Sequence, residues 1–273
     1  MVLNMDVTTI ITTLGGVELI KKVLGPSLDY IGNNLKLYTE KMHRNIASIL
    51  KKADKKLGDR INDAGSVSPK VIKSILENGA WCEEELQAEY FGGVLASSRN
   101  DSPRDDRGAY YSGIITSLTA YQIRLHYLIY MEIRRLFVGQ QLNIGDATDR
   151  GRMEVFIPFK TYFDAMAFSV SEMKSFISIM QHSVWGLHDA SLVDSFRYGP
   201  KESLEKHFPG IKDDGGIILR PSQLGAELFL WAYGYGQFPA NTLFDPSVVF
   251  NEVDSILLGK AYTKPDKTTL NVK

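Results

Sequence analysis

Cysteine is nearly absent: Cys82 is the only one in 273 residues. No disulfide can form within the chain, so a packed core must hold it together, as suits a reducing compartment. Cys82 lies between Trp81 and three glutamates, Glu83, Glu84 and Glu85. Acidic neighbours disfavour a thiolate, so no nucleophilic role is expected of it. An excess of either charge is also lacking. The 31 Lys and Arg against 32 Asp and Glu leave a net charge of −1. The chain as a whole attracts neither nucleic acid nor anionic lipid; only a local patch could. Long apolar runs are missing as well. Near the N-terminus the longest weakly polar stretch without a charge, VTTIITTLGGV at 7–17, has eleven residues, where a membrane-spanning helix needs about 20. The first residues carry no basic segment followed by a small-residue cleavage site, so a cytoplasmic location is expected.

Motifs for catalysis are missing too. There is no G-x-x-x-x-G-K-[ST]; ahead of Gly259-Lys260, Asp254 stands where the first glycine belongs. Neither G-x-S-x-G nor H-E-x-x-H occurs. One cysteine and five scattered histidines do not make a structural zinc site. His182 and Asp189 could share a helix face, but two ligands are not a metal site. No histidine has an arginine four to six residues before it, the spacing used by many host-defence ribonucleases. No cofactor or catalytic residue is assigned, and His126 in RLHYLIY reads as a buried, hydrogen-bonded histidine.

What is present is helical periodicity. Val7, Ile10, Ile11, Leu14, Val17, Ile20 and Leu24 form one amphipathic segment; Ile31, Leu35, Tyr38, Met42, Ile46, Ile49, Ala53 and Leu57 form a second, over 28–57. Ser68-Pro69 marks a helix start. Helices are expected over 83–98, over 110–137 with a break near Ser117, over about 169–185 and over 222–233. MEVFIPF and IILR read as strands. The expected fold is mainly α: a helical bundle over 1–142, a linker at 143–152, a smaller α+β, winged-helix-like module over 153–260, and a flexible tail over 261–273.

The helix EEELQAEYFGGVLASS is odd, because each glycine in a helix interior costs roughly 1 kcal/mol against alanine. Ala88, Gly92 and Ala96 align at four-residue spacing, a small-residue groove that admits a second helix backbone. A kink at Gly92-Gly93 is the alternative.

Two polar constellations stand out. Residues 36–60 hold eight Lys and Arg against three Asp and Glu. Lys41, Arg44, Lys51, Lys52, Lys55 and Lys56 share a broad basic face, which suits anionic lipid, nucleic acid or an acidic partner. Glu83, Glu84, Glu85 and Glu89 could supply that acid within the same fold. The loop RNDSPRDDRG carries Arg99, Asp101, Arg104, Asp105, Asp106 and Arg107. Its carboxylates could hold a cation and its arginines a phosphate, but the alternating signs favour self-neutralisation.

The segments GGVELIKKVLGPSLDYIGNNL, ILENGAWCEEELQAEYFGGVLASSRND and YYSGIITSLTAYQIRLHYLIY, in this order, resemble the abortive-infection alpha (Abi-alpha) family of bacteria. The likeness extends to GGIILRPSQLGAELFLWAYG, and departs from the family at Gly92-Gly93, where bulkier residues are usual. It implies a role in resistance to bacteriophage and brings no catalytic residues. The expected action is binding to a protein partner or phage component, or peripheral contact with an anionic membrane. The alternatives are a nucleic-acid-binding regulator using the C-terminal module and an unrecognised nuclease or hydrolase using the loop at 99–107. Against the regulator, residues 188–220 hold five Lys and Arg and six Asp and Glu, where a DNA reader is basic.

Overall fold

The computed structural model describes residues 40–264 apart from Glu83 and Pro103. The expected amphipathic segment at 7–24, the start of the helix at 28–57 and the end of the tail lie outside the described residues. The fold is mainly helical, with one four-stranded antiparallel sheet in its C-terminal part. The chain divides into two compact units, Met1–Leu118 with Leu230–Phe238, and Thr119–Phe229 with Pro239–Lys273.

The first unit contains helices α1 (Glu40–Leu57), α2 (Pro69–Gly79), α3 (Glu85–Ser97) and α4 (Arg107–Ser117). On α1, Ile46, Ile49, Leu50, Ala53 and Leu57 are buried at helical spacing. On α2, Pro69 opens the helix at a position needing no backbone N–H, and Val71, Ile72, Ile75 and Leu76 are buried. Asn45 closes the far end of α2, donating its Nδ2 hydrogens to the carbonyls of Ala80 at 2.8 Å and Cys82 at 2.7 Å. Ser74 and Ser112 tie α2 to α4 by a 2.9 Å hydrogen bond.

Helix α3 is buried along Tyr90–Ser97 on every side, and its two glycines are the reason it can be. A Cβ on Gly92 would stand 2.7 Å from Cβ of Lys52 and 2.9 Å from the carbonyl oxygen of Ile49, both on α1. A Cβ on Gly93 would stand 1.7 Å from the carbonyl oxygen of Ala232. The helix therefore takes a second backbone against each glycine, and the helix runs through both without interruption. Close packing, and not a kink, is what the pair provides.

The second unit contains α5 (Ala120–Phe137), α6 (Ala147–Arg152), α7 (Phe159–Met166), α8 (Val170–Met173), α9 (Phe176–Asp189) and α10 (Lys201–Leu204). Its strands are β1 (Val155–Pro158), β2 (Val193–Pro200), β3 (Gly215–Pro221) and β4 (Tyr262–Thr263). A further helix, α11 (Gln223–Ala232), starts in this unit and contributes its last three residues to the first. Thr119 and Gln122 form a reciprocal capping box that starts α5. Strand order is β2-β3-β1-β4. Val155 pairs with Leu219, Ile157 with Ile217, and Phe156 with Ile218. All of these are buried, so both faces of the central strands are covered. Phe156 and Ile218 pack with Leu204, Phe208 and Ile211. That two-sided cover explains the unbroken apolar run of VFIP.

Three expectations change. The segment 143–152, expected as a linker, lies inside the second unit. Its Asp146 accepts from the backbone N–H of Thr148 at 2.8 Å and of Asp149 at 3.0 Å, capping α6. The Gly, Asn and Asp that resembled a linker are turn and cap chemistry. The helix expected over 169–185 is two helices: Ser169 caps α8, and α9 runs on through Gly186 to Asp189. Residues 193–200, where the sequence suggested no strand, form an edge strand of the sheet.

Gly93→Ala should lower the denaturant midpoint of the protein, because backbone presses on backbone there and no side-chain rotation relieves it. Overpacking typically costs about 1–3 kcal/mol. Gly113 sits inside α4 with nothing within 4 Å of its added Cβ. Gly113→Ala should leave the midpoint unchanged or raise it by up to about 1 kcal/mol. Equal effects at the two sites would refute this account of α3.

Candidate functional site

The basic face of α1 is divided by packing. Arg44, Lys51 and Lys55 are exposed on one stripe at seven- and four-residue spacing. Lys52 and Lys56 are half-buried, and both ammoniums bind the carboxylate of Glu89 on α3. Lys52 also reaches Glu85 at 3.2 Å, and Lys56 lies 5.6 Å from the ring centre of Tyr233. Burial pushes the Glu89 carboxyl up, but the charges and hydrogen bonds of Lys56 and Lys52 outweigh it and hold it below the usual carboxylate range. The side chain of Lys41 and the whole of Glu83 lie outside the described residues. Of the six residues predicted to share one face, two are thus spent inside the fold and three are presented outward.

The loop at 99–107 is similarly engaged. Arg107 donates Nε–H to Oδ1 of Asp105 at 2.9 Å and Nη2–H to Oδ2 at 2.8 Å, a bidentate pair. Asp105 also accepts from Asn100 at 3.2 Å and from Gln237 at 3.0 Å. Hydrogen bonding from Arg107, followed by that from Gln237, holds the Asp105 carboxyl down at about 2 against the opposing effect of burial. Arg99 donates to the carbonyls of Arg60 at 3.2 Å and Asp63 at 2.7 Å. Lys70 pairs with Asp106 at 2.7 Å. Asp101 and Arg104 are exposed. The structure brings Arg107 and Asp105 together as a clasp and turns Arg99 away to a different part of the chain.

No protein-family model, curated protein or solved structure matches the chain. Cys82 is buried, and burial pushes its thiol up to about 12; desolvation, not the neighbouring glutamates, is the cause. His126 is 0 % exposed. Its Nε2–H donates to the carbonyl of Gly225 at 3.0 Å, and burial drives its pKa down to about 3 against that hydrogen bond. A neutral, inaccessible imidazole serves as a strut. His182 meets Thr119 at 3.3 Å, while Asp189 lies 3.7 Å from His188. Among the described residues no three His, Cys, Asp or Glu side chains gather where a metal ion could sit.

Two residues essential to the clasp carried no signal in the sequence. Gln237 accepts from Arg107 at 2.6 Å and donates to Asp105. Trp231 stacks on Tyr111, with ring centres 4.6 Å apart, and lies 5.5 Å beneath the Arg107 guanidinium. Both are more than a hundred residues away in sequence, so only a hydrophobic Trp231 in an apolar helix was visible.

Two outcomes follow. Asp105 titrates near 2 when folded and near 3.9 when unfolded. The folded pKa is the lower, so its stabilisation is complete above about pH 5 and is lost as pH falls towards 2. The thermal midpoint should fall more steeply across that window in the parent than in Asp105→Asn; parallel profiles would exclude the clasp. The Cys82 thiol should resist iodoacetamide at about pH 8 in the native protein and react once unfolded, as mass spectrometry would register.

Proposed function

We propose that the chain is a bacterial anti-phage protein of the abortive-infection type that acts by binding, with the outer stripe of α1 as its contact surface for an anionic partner. The inner face of the cell membrane is the partner we favour. The observation that carries this reading is the division of charge along α1. Lys52 and Lys56 are paired with Glu89, and Lys52 also with Glu85, whereas Lys51 and Lys55 face solvent and pair with no described residue. Exposed Arg44 continues the same stripe. The likeness to the Abi-alpha family supplies the biological setting, a response that halts the infected cell before phage matures.

Two further facts favour binding over hydrolysis. The polar loop that a nuclease or hydrolase would use spends Arg99, Asp105 and Arg107 on internal bonds. The most central histidine is sealed from solvent. Among the described residues no helix is long and apolar enough to cross a membrane, so the contact is read as peripheral, held chiefly by charge.

Each cation near an anionic leaflet contributes on the order of 1 kcal/mol. Three together therefore alter partitioning by about a hundredfold. The triple variant Arg44→Glu, Lys51→Glu, Lys55→Glu should lose co-sedimentation with phosphatidylglycerol vesicles at about 0.1 M salt and give reduced protection in a plaque assay. Lys52 and Lys56 are left intact because reversing them would break the Glu89 pairs and test folding instead. Neutral phosphatidylcholine vesicles should bind neither protein. A parent protein that ignores anionic vesicles, with a variant that protects as well as the parent, would rule the proposal out.

A further inference from the structure

The sheet has an open edge. Strand order β2-β3-β1-β4 puts β2 on the outside, and with eight residues, Val193–Pro200, β2 is the longest of the described strands. Strand β3 bonds it along one side. A strand paired on one side turns the N–H and C=O of every second residue outward, and no described residue bonds to that outer row. Both ends of β2 are closed to further pairing. A bulge falls between Val193 and Ser195, and Pro200 has no N–H to donate. Between them, residues 196–199 keep a regular register and are all partly or fully exposed.

The two faces of this window differ. Side chains alternate along a strand, so Phe196 and Tyr198 point to one face, the side of α9. Their rings stack with centres 6.2 Å apart. Trp185 of α9 meets Phe196 at right angles, 4.8 Å between centres. Gln181, one turn earlier, donates to the Tyr198 hydroxyl at 3.1 Å. Trp185 is 51 % exposed, and Ile177, a further turn away, is 55 % exposed. These side chains form an apolar shelf beside the free backbone row, and exposed apolar patches with polar rims mark interaction sites. Arg197 points to the opposite face, the side of its pairing partner Ile218. It is exposed and pairs with no described residue.

Backbone, area and charge together select the occupant. An outward row of N–H and C=O groups is matched by another extended backbone; a helix has already used its own. Nucleotide bases could stack on the rings, but Arg197 lies on the wrong face for their phosphates. Exposed Asp189, next to the His188 ring that flanks Phe196, repels them. A second copy finds too little to cover. At about 200 Å² per side chain, Trp185, Ile177, Phe196 and Tyr198 leave at most roughly 400 Å², half of the ~800 Å² that each partner of a stable pair buries. We propose that β2 accepts an extended segment of a partner protein as a fifth strand. Apolar side chains at alternate positions lie on Trp185, Phe196 and Tyr198, and an acidic side chain between them meets Arg197. The surface belongs wholly to the second unit and stands or falls independently of the α1 stripe.

Fluorescence anisotropy with the full chain tests this. The probe is a capped, labelled peptide, Ser-Thr-Val-Glu-Val-Thr-Ser. It should bind with Kd below about 1 mM, and versions with Lys for Glu, or with Ser for both Val, at least about tenfold more weakly. Two further versions carry N-methyl groups on alternate backbone amides; the one whose methyls face β2 should lose binding although its side chains are unchanged. Arg197→Glu should melt like the parent and reverse the preference, taking the lysine peptide over the glutamate peptide. Hydrogen exchange in 196–199 should slow at saturating peptide. The proposal is overturned if the glutamate peptide does not bind, if both methylated versions bind as well as it does, or if Arg197→Glu still prefers glutamate. A chain that sediments as a dimer, with 196–199 protected before any peptide is added, overturns it in favour of a second copy. A labelled oligothymidylate that binds more tightly and displaces the peptide overturns it in favour of single-stranded nucleic acid.

Discussion

The contact of backbones at Gly92 and Gly93 sets the arrangement of the first unit. Without side chains at those positions, α1 lies directly on one flank of α3 and Ala232 on another. Several contacts follow from that closeness. Glu89, one turn before Gly92 and Gly93, comes within reach of Lys52 and Lys56. Ser97, one turn after, receives the segment from Leu230 to Phe238. Its hydroxyl donates to the Trp231 carbonyl at 3.0 Å and accepts from Gly236 N–H at 3.0 Å. Trp231 is thereby seated on Tyr111, and Gln237 is delivered to Asp105 and Arg107. Two hydrogen atoms in place of side chains thus decide where a helix, a loop and a distant segment meet.

Charge in this unit is sorted by depth. Adjacent lysines on α1, Lys51 with Lys52 and Lys55 with Lys56, meet opposite fates because only one side of the helix faces α3. Ammoniums brought out of water need a carboxylate, and Glu89 serves two of them. Those on the far side keep their hydration and stay available to a partner. The same sorting acts on the loop, where a forked guanidinium matches the two oxygens of Asp105 and leaves Asp101 and Arg104 in solvent. A near-neutral chain therefore still shows a basic stripe.

In the second unit, α5 acts as a rack for segments remote in sequence. Tyr130 donates to the Leu192 carbonyl at 2.8 Å and accepts from Ser222 N–H at 3.1 Å. Tyr127 accepts from Val253 N–H at 2.8 Å. Arg134 donates to the carbonyls of Leu243 and Val248, each at 2.7 Å, and buried Glu132 binds Arg135 and the N–H of Ala261. Loop backbone that would lose water on burial finds its partners on this one helix. Its tyrosines and ion pairs, set in an otherwise apolar surface, are the reason so apolar a helix is a core element.

Much of this was legible in the residues. Apolar spacing located α1 and α3, because a helix must bury one stripe whatever it packs against; the Ser68-Pro69 signal located the start of α2, and the break between α4 and α5 falls near Ser117 as expected. Runs of β-branched and aromatic residues located β1 and β3. The small-residue line through Ala88, Gly92 and Ala96 announced a close neighbour, though not which one, and the adjacent glutamates announced a counter-charge for the lysines. What failed was local chemistry with two readings. Asp146 and its neighbours look alike as a linker and as a helix cap, and β2, at the sheet edge with only half-buried aromatics, lacks the apolar run of its neighbours. Pairings such as Asp105 with Gln237 are contacts in space. Period and composition describe a residue's own element; which remote group stands opposite it is settled only when the chain closes and each buried polar atom either finds a partner or does not.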